Sequence, residues 1–445
     1  MSNKNDENLI IDCFAGGGGA SVGIEMALGR SVDIAINHDP AAIRMHKTNH
    51  PGTKHLTEDI FAVDLQKYVK GRHVSLLWGS PDCRHFSVAA GRAIKSPIVR
   101  MLPWAVHKHA SILLPDVIIM ENVAEIQNWG PLDETGYPIK ERQGEEYKKF
   151  VAAMCDLGYD FDSRELVAAD YGAPTTRKRW YAIFRRDGKP IVWPTPTHSK
   201  DGSTGKKWLE CGDLIDWSDL GKSIFDRKRI LAASTRNRIK NGIQKYIVDC
   251  PNPYMVTDKR AFDYLEKYRK SHGEMSEKDC LVSSFISKFY KTGIGQSCTE
   301  PLHTITTSAG HFGLVSAFLV KYYGTGGGQK LSDPLGTITT KDRFGLVNVV
   351  VEINGEKYVV KDVFLRMLKP EELKLMQGFP KDYIIDHDSW WKTTPVAEQV
   401  KRIGNSVVPM MAEALVNANC GYLKVGERVP NVLMREDELG QLVFA

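Results

Sequence analysis

The sequence lacks any hydrophobic run long enough to cross a membrane, and its first eight residues are polar. A spanning helix needs about 20 consecutive apolar residues, and a secretory signal has an apolar core. We therefore expect a protein that is neither exported nor anchored, and we place it in the cytoplasm.

Cysteine pairs at metal-binding or redox spacing are also missing. The eight cysteines are scattered, with no Cys-x-x-Cys pair and no histidine at zinc-ligand spacing. This pattern predicts reduced thiols and no bound metal. The net charge is only +5, which permits a nucleic-acid partner without requiring one. The length of 445 residues is sufficient for two domains.

Short β-rich runs alternate with amphipathic segments through the first 185 residues. The predicted strands are 9–13, 33–36, 74–78, 117–120 and 180–184, and the predicted helices are 41–49 and 145–157. This alternation predicts a doubly wound, parallel sheet. Residues 127–144 have the composition of a surface loop. Residues 193–197 contain two prolines separated by one residue, which indicates a linker to a second domain.

A basic segment follows at residues 222–240. Seven lysines and arginines stand there against one acid, and isoleucines and leucine recur at helical spacing. The pattern predicts a basic amphipathic helix that contacts DNA phosphates through Arg227, Arg236 and Arg238. An ordinary solvated helix face is the alternative.

An internal repeat occupies residues 285–347. Residues 299–307 (TEPLHTITT) match residues 332–340 (SDPLGTITT), and 285–290 match 318–323 at the same offset. The Thr and Ile content indicates strands and hairpins. Arg343 stands where the copies differ, so we expect it to contact DNA. Duplication without a binding role is the alternative.

Two loops have the composition of functional sites. Residues 79–87 (GSPDCRHFS) place Cys83 directly after a predicted strand, where open α/β sheets hold reactive groups. A buried structural thiol is the alternative for Cys83. Residues 12–19 (DCFAGGGG) form a glycine-rich loop between a strand and a helix, which allows close approach of a ligand. The loop lacks the G-x-G-x-x-G spacing of nicotinamide-dependent oxidoreductases.

Seven sequence blocks in order resemble the DNA cytosine-5 methyltransferase family of bacterial or phage type. They are residues 12–19, 58–60, 79–87, 121–123, 170–179, 368–380 and 399–409. The resemblance implies an α/β fold: a Rossmann-like, AdoMet-dependent methyltransferase domain with a mostly parallel sheet, plus a smaller β-rich target-recognition domain. The implied boundaries are 1–185 and 362–425 for the catalytic domain, 186–361 for target recognition, and 426–445 for a C-terminal tail.

The resemblance also implies the reaction. A methyl group would pass from S-adenosyl-L-methionine (AdoMet) to C5 of a flipped-out cytosine in double-stranded DNA, through a covalent bond between Cys83 and C6. Glu121 would be the acid at N3, Arg179 would contact the O2 edge, and Arg177 would complete the catalytic group. Ser87 would contact DNA. The implied AdoMet-binding residues are Phe14, Ala15, Gly16, Gly17, Asn37, His38, Asp59, Ile60, Asn405 and Ser406.

Two positions depart from the family pattern. Asn37 stands where the family usually has an acid for the ribose hydroxyls, which predicts weaker AdoMet binding. Asp82 replaces the proline that usually precedes the nucleophile, and its carboxylate would raise the pKa of Cys83. Asp39 is better suited to cap the helix that begins at Pro40.

The expected partners are double-stranded DNA and a cognate restriction endonuclease, with the protein itself a monomer. Two alternatives stay open. One is a catalytically silent, sequence-specific DNA-binding relative, which the substitution at Asp82 would fit. The other is an RNA-directed cytosine-5 methyltransferase, which would need a smaller recognition region.

Overall fold

The first predicted strand is an interior strand of a seven-stranded sheet. The computed structural model describes residues 8–83, 86, 97–272, 280–290, 293–321, 350–428, 434–436 and 442–444. The strands of this sheet are β1 Asn8–Cys13, β2 Ile34–Ile36, β3 Lys54–Leu56, β4 His73–Gly79, β5 Val117–Asn122, β6 Asp160–Val167 and β7 Lys178–Arg185. Their order is β3-β2-β1-β4-β5-β7-β6. Strands β1 to β5 are parallel, whereas β7 runs antiparallel to β5 and β6. The mostly parallel sheet is confirmed.

Helices connect these strands and complete the first unit. They are α1 Gly19–Leu28, α2 Pro40–Asn49, α3 Gln66–Val69, α4 Pro97–Arg100, α5 Leu102–Leu113 and α6 Glu145–Asp156. Asp39 caps α2 as predicted, because its carboxylate accepts a hydrogen bond from the Ala41 N–H at 2.8 Å. Gly158 adopts a positive φ of 87° just after α6, where that helix was expected to end.

Alternation along the strands buries both faces of the sheet. Leu9 and Ile11 pack in one hydrophobic layer, whereas Ile10 between them packs in the other. Trp180 and Tyr181 divide between the same two layers. Because both faces are covered, the strands are nearly continuous apolar runs, which is why sequence analysis detected them.

A C-terminal return segment covers one of these faces. The chain re-enters the first unit within α9 Pro370–Met376 and continues through α10 Val396–Asn405 and α11 Pro409–Cys420. Helix α11 packs so closely on α1 that a Cβ at Gly23 would lie 2.2 Å from the carbonyl oxygen of Pro409. Beyond it, residues of the expected C-terminal tail form a two-stranded ribbon, β16 Met434–Glu436 with β17 Leu442–Phe444.

The second unit is built on an antiparallel sheet, in agreement with the expected β-rich domain. Its elements are β10 Lys222–Ser223, α7 Ala233–Ile243, α8 Lys259–His272, β11 Cys280–Lys288, β12 Gly295–Ser297, β13 Phe312–Lys321, β14 Val350–Ile353 and β15 Glu356–Met367. The strand order is β10-β15-β13-β11-β12, and β14 pairs with β15. Helix α7 covers the sheet through Ile239 and Ile243. A Cβ at Gly242 would lie 2.2 Å from the ring of Phe285.

The unit boundaries lie further along the chain than the expected positions 185 and 361. The first unit comprises Met1–Leu209, His303–Thr307 and Lys374–Ala445, and the second Glu210–Leu302 and Ser308–Leu373. Residues 186–209 stay with the first unit because the indole N–H groups of Trp193 and Trp208 bond Asp162 and Asp170, at 2.6 and 2.9 Å. They contribute two short paired strands, β8 His198–Ser199 and β9 Lys206–Lys207. At the other end, β15 continues in the second sheet to Met367.

The predicted basic helix is shorter than expected. Helix α7 begins at Ala233, so Arg236 and Arg238 lie on it but Arg227 does not. Arg227 lies in the preceding loop, where its guanidinium donates to the carbonyl oxygens of Leu365 and Ser223 at 2.7 and 3.2 Å.

Of the internal repeat, residues 322–349 and therefore most of the second copy lie outside the described residues. In the described chain, no helix is long and apolar enough to cross a membrane.

Candidate active site

The loop that carries Cys83 leaves the carboxyl end of β4 and is tied to its neighbours. The Ser80 N–H donates to the carbonyl oxygen of Cys13 at 3.3 Å. The side-chain amide of Asn122, at the end of β5, donates to the carbonyl oxygen of Pro81 at 3.0 Å. Cys83 itself is partly buried and packs against the hydrophobic layer below. The thiol is therefore positioned by strands β1, β4 and β5 together.

Glu121 lies next to two arginines from β7 and the turn before it. Its Oε1 is 3.2 Å from Arg179 Nε and 3.9 Å from Arg177 Nη2. All three side chains are at least 87% buried, with side-chain exposures of 9% for Glu121, 4% for Arg177 and 13% for Arg179. The antiparallel pairing of β5 with β7 places them together, because Glu121 faces Tyr181, two residues beyond Arg179. The structure thus groups the predicted acid and both predicted arginines.

The same groups influence the pKa of Cys83, the predicted nucleophile. Burial raises the pKa of the Cys83 thiol above its usual value, and the charges of Glu121 and Asp82 raise it further. The positive charges of Arg179 and Arg177 lower it, and Arg179 has the larger influence. The expected effect of Asp82 is present, but it is the smallest of these contributions. Of the charges near Cys83, that of Arg179 therefore has the largest influence, and it favours the thiolate.

Arg177 is held in place from two directions. Its Nη1 donates to the carbonyl oxygen of Gly404 in α10 at 3.0 Å. Its backbone N–H donates to Thr175 Oγ1 at 3.3 Å. Burial, and then the charge of Arg179, lower the pKa of Arg177 to about 10, so it stays cationic at neutral pH. The return segment consequently helps to position a predicted catalytic residue.

The glycine-rich loop after β1 has the form of a ligand cradle. Phe14, Gly16 and Gly18 all have positive φ, at 68°, 52° and 89°. Loops with recurrent left-handed residues direct backbone N–H groups to one concave side, and the N-terminus of α1 follows directly. Ala15 is buried, and its N–H donates to the carbonyl oxygen of Ile36 at 3.0 Å, which joins the loop to β2.

Asp12 lies buried at the end of β1, directly before this loop. Its Oδ2 accepts a hydrogen bond of 2.6 Å from Ser21 Oγ, and its Oδ1 has no partner among the described residues. Burial raises the pKa of Asp12 to about 7. A buried acceptor and a concave N–H loop fit a ligand with both an ammonium and a carboxylate, such as the methionine part of AdoMet.

The remaining predicted cofactor residues lie in the same unit. Asn37 Oδ1 accepts from the Asp39 N–H at 2.9 Å, while His38 beside it is exposed. Asp59 is exposed and Ile60 is buried, with the carbonyl oxygen of Ile60 bonded to His109 Nε2 at 2.8 Å.

Asn405 and Ser406 differ in their surroundings. Asn405 is exposed at the end of α10. Ser406 is buried, and its hydroxyl donates to the carbonyl oxygen of Arg402 at 2.7 Å. A Cβ at Gly17 would lie 2.8 Å from Ser406 Oγ. Ser406 therefore contacts the glycine loop, and its hydroxyl proton is already engaged.

The predicted DNA contacts on the second unit differ in their surroundings. Arg236 is exposed on α7, Arg238 is half-buried on the same helix, and Arg227 bonds backbone carbonyls. Ser87 and Arg343 lie outside the described residues, so both stay predictions. Two hydrogen bonds of the site were not predicted from the sequence. The Tyr383 hydroxyl donates to the carbonyl oxygen of Gly17, and the Asn122 side chain donates to the carbonyl oxygen of Pro81. Asn122 stands within the sequence block 121–123.

The mostly parallel sheet with antiparallel β7, together with the glycine loop after β1, defines a Rossmann-like methyltransferase fold. A crystal structure of the Schizosaccharomyces pombe Dnmt2 methyltransferase is similar, with a TM-score of 0.50 at 14% identity over 94% of this chain and 99% of that one. At this identity the likeness concerns the fold alone.

The sequence profile of the C-5 cytosine-specific DNA methylase family matches residues 9–419. The chain belongs to this family, and it is accordingly an enzyme of the DNA cytosine-5-methyltransferase class. The type II methyltransferase M.AquIA of Picosynechococcus sp. is 30% identical over 204 residues, which cover 43% of this chain and 77% of M.AquIA. The type II methyltransferase M.XorII of Xanthomonas oryzae pv. oryzae is 31% identical over 304 residues, covering 64% of this chain and 66% of M.XorII. The chain spans about half the length of two further relatives, 50% and 52%.

Proposed function

We propose that the protein transfers the methyl group of AdoMet to C5 of cytosine in double-stranded DNA, with Cys83 as a covalent nucleophile. The observation that carries this proposal is the grouping of Glu121, Arg177 and Arg179 around a partly buried thiol at the carboxyl ends of β4 and β5. That is the edge at which open α/β sheets hold their ligands.

Cys83, after losing its thiol proton to water, adds as the thiolate to C6 of the base, and the π electrons of the C5–C6 bond shift toward C4 and N3. Glu121 gives a proton to N3, and Arg179 stabilises the charge that develops at O2. AdoMet supplies the electrophilic methyl group, which C5 takes up. Loss of the proton from C5 to water then restores the C5–C6 double bond and expels Cys83 as the thiolate, while the proton on N3 returns to Glu121.

The target base must leave the duplex, because a stacked C6 cannot be reached by a side chain. The site residues all belong to the first unit. We propose that the second unit provides target recognition, with the exposed Arg236 of α7 on a phosphate and Ser87 and Arg343 as further DNA contacts. The family relatives named as type II methyltransferases support a cognate restriction endonuclease as partner. We further propose a monomer that acts in the cytoplasm.

The AdoMet site would use the glycine loop for the methionine part. Phe14 and Ile60 would provide apolar contacts for the adenine, while Asp59 would accept a hydrogen bond from its amino group. Asn37 and His38 would lie next to the ribose, and Asn405 and Ser406 would close the site from the return segment. The positive φ values of the loop and the unpaired oxygen of Asp12 support this assignment.

A trapping experiment tests the nucleophile. Duplex DNA containing 5-fluorocytosine should form a covalent adduct in the presence of AdoMet, because fluorine cannot leave as a cation. Cys83→Ala should abolish both the adduct and methyl transfer, whereas Cys155→Ala, a change at an exposed thiol on α6, should preserve them. Full methylation by Cys83→Ala would refute the mechanism. Transfer of labelled methyl to tRNA but not to DNA would support the RNA-directed alternative, and DNA binding without any transfer would support the silent one.

A further inference from the structure

Tyr383 contacts the glycine loop from a distant part of the sequence. Its hydroxyl donates a 2.7 Å hydrogen bond to the carbonyl oxygen of Gly17, across a separation of 366 residues. The side chain is 2% exposed, and both residues belong to the first unit. The hydrogen bond therefore restrains the peptide between Gly17 and Gly18.

Gly18 shows how closely the ring approaches this peptide. A Cβ at Gly18 would lie 2.1 Å from Tyr383 Oη and 3.3 Å from Cζ. The φ of Gly18 is 89°, in the left-handed region that favours glycine. Two independent constraints thus require glycine at this position, and one of them is the Tyr383 hydroxyl.

The ring of Tyr383 is held firmly by its own surroundings. The Phe379 ring lies 4.8 Å away, centroid to centroid. The ammonium of the buried Lys374 donates to the carbonyl oxygen of Tyr383 at 2.9 Å. The next residue, Ile384, exchanges two backbone hydrogen bonds of 2.8 Å with the side-chain amide of Asn49. The position of the hydroxyl is consequently fixed before any ligand binds.

A phenylalanine would fill the same apolar space without a buried hydroxyl to satisfy. Burying a hydroxyl costs free energy unless it is hydrogen-bonded. The bond to Gly17 satisfies the hydroxyl of Tyr383, and it also restrains the loop that we assign to the methionine part of AdoMet. The packing of the ring does not require the hydroxyl, whereas the restraint of the glycine loop does.

We propose that Tyr383 is a positioning residue for the cofactor loop: its hydroxyl fixes the Gly17–Gly18 peptide and so increases the affinity for AdoMet without touching it. The proposal rests on the proposed binding of AdoMet at this loop. The restraint of the loop by Tyr383 can be measured in the protein without AdoMet.

The first test compares two tyrosine-to-phenylalanine variants in the full-length protein. Tyr383→Phe removes the bond to Gly17. Tyr159→Phe is a matched control, because Tyr159 is equally buried and its hydroxyl donates to the carbonyl oxygen of Pro115 at 2.8 Å, away from the loop. Titration calorimetry should show that Tyr383→Phe raises the Kd for AdoMet and S-adenosylhomocysteine about 3- to 10-fold, as expected for one lost hydrogen bond. Tyr159→Phe should leave both Kd values unchanged.

Kinetics separate positioning from general damage. For Tyr383→Phe, the KM for AdoMet should rise by the same factor while kcat at saturating AdoMet and the Kd for DNA stay as in the unchanged protein. In the absence of ligand, amide hydrogen exchange at residues 17–19 should be faster in Tyr383→Phe and unaltered in Tyr159→Phe. A purely structural role would instead lower the melting temperature equally in both variants and leave loop exchange alone.

A double-mutant cycle with Gly18→Ala gives a second measurement. Gly18→Ala alone should weaken AdoMet binding because the new methyl group meets Tyr383 Oη. Adding Tyr383→Phe removes that atom, so the double variant should bind no more weakly than Gly18→Ala. Additive losses, or equal AdoMet affinity and loop exchange in the two tyrosine variants, would overturn the proposal. If the unchanged protein fails to bind AdoMet, the proposed function is refuted, and the exchange rates still decide whether Tyr383 restrains the loop.

Discussion

Arg179 Nε lies 3.2 Å from Glu121 Oε1, and both side chains influence the pKa of the Cys83 thiol. Both side chains lie beside the thiol that we propose as the nucleophile, and burial raises the pKa of that thiol. Arg179 thus has two partners: the carboxylate of Glu121, and the thiolate that must form for attack. The ionisation of Cys83 should therefore respond to substitution of Arg179.

Removing this arginine should make thiolate formation harder. Because Arg179 lowers the pKa of Cys83, Arg179→Ala raises that pKa, and the alkylation of Cys83 by iodoacetamide should need higher pH. Single-turnover methylation should fall about 100- to 1000-fold, as for the loss of one transition-state donor. Arg164→Ala, at a side chain with 56% exposure, is the control and should keep both profiles. An unchanged alkylation profile would exclude this role.

Asp82→Asn should have the opposite and smaller effect. The Asp82 charge raises the pKa of Cys83 but is the weakest of the named influences. The amide retains the shape of the side chain, so the pH profile of alkylation should move slightly downward while the methylated product stays the same. Asp64→Asn, at a partly exposed carboxylate on the same unit, provides the comparison. A shift to higher pH would show that Asp82 assists the thiol rather than opposing it.

The buried carboxyl of Asp12 should make the stability of the first unit depend on pH. Its pKa is raised from 3.8 to about 7, so the folded state binds the proton more tightly than the unfolded state. Stability is unaffected below pH 4 and falls as the pH rises toward 7, to a cost of roughly 4 kcal/mol. Asp12→Asn keeps an acceptor for Ser21 and should stabilise the protein more at pH 8 than at pH 5. Urea unfolding at the two pH values measures this, and an equal effect at both would contradict it.

Asn37 offers a direct way to strengthen cofactor binding. Its side-chain oxygen already accepts from the Asp39 N–H, so its amide group is left as the donor toward the proposed ribose position. Asn37→Glu supplies a carboxylate that accepts from ribose hydroxyls with charge assistance. We expect an approximately tenfold lower Kd for AdoMet by calorimetry. Thr48→Glu, at a half-buried position in the last turn of α2, controls for added charge. A higher Kd for Asn37→Glu would place the ribose elsewhere.

Two arginines of the second unit should respond differently to substitution. Arg236 is exposed on α7, so Arg236→Ala should weaken DNA binding and reduce the slope of log K against log salt by about one. Arg227 bonds the carbonyl oxygens of Leu365 and Ser223, so Arg227→Ala should lower the melting temperature instead. Equal salt slopes for Arg236→Ala and the unchanged protein would remove α7 from the DNA-contacting surface.

Sequence analysis was most accurate where burial dictates composition. The five predicted strands are present because buried strands read as apolar runs, and β6 was missed because charged residues alternate through Asp160–Val167. The antiparallel direction of β7 was not predicted, since apolarity does not encode strand direction. Cys83, Glu121 and the two arginines were named from sequence blocks, and the structure brings them together.

Long-range contacts explain what sequence analysis missed. The bond of Arg227 to Leu365 spans 138 residues, and nothing local distinguishes this arginine from its basic neighbours. The bond of Tyr383 to Gly17 spans 366 residues, and its only local signal is an aromatic residue shortly after Gly378 and Phe379. Such partners become visible only when the fold places them side by side.

The tight fit between the glycine loop and the return segment has a consequence for synthesis of the protein. A Cβ at Gly19 would lie 2.0 Å from Val407 O, and the Tyr383 hydroxyl bonds the carbonyl oxygen of Gly17. Residues from the last quarter of the chain therefore pack directly against the glycine loop. The ribosome adds Tyr383 and Val407 only after it has synthesised all the residues that separate them from the glycine loop. In the nascent chain, the glycine loop therefore lacks these packing partners until synthesis has passed Val407.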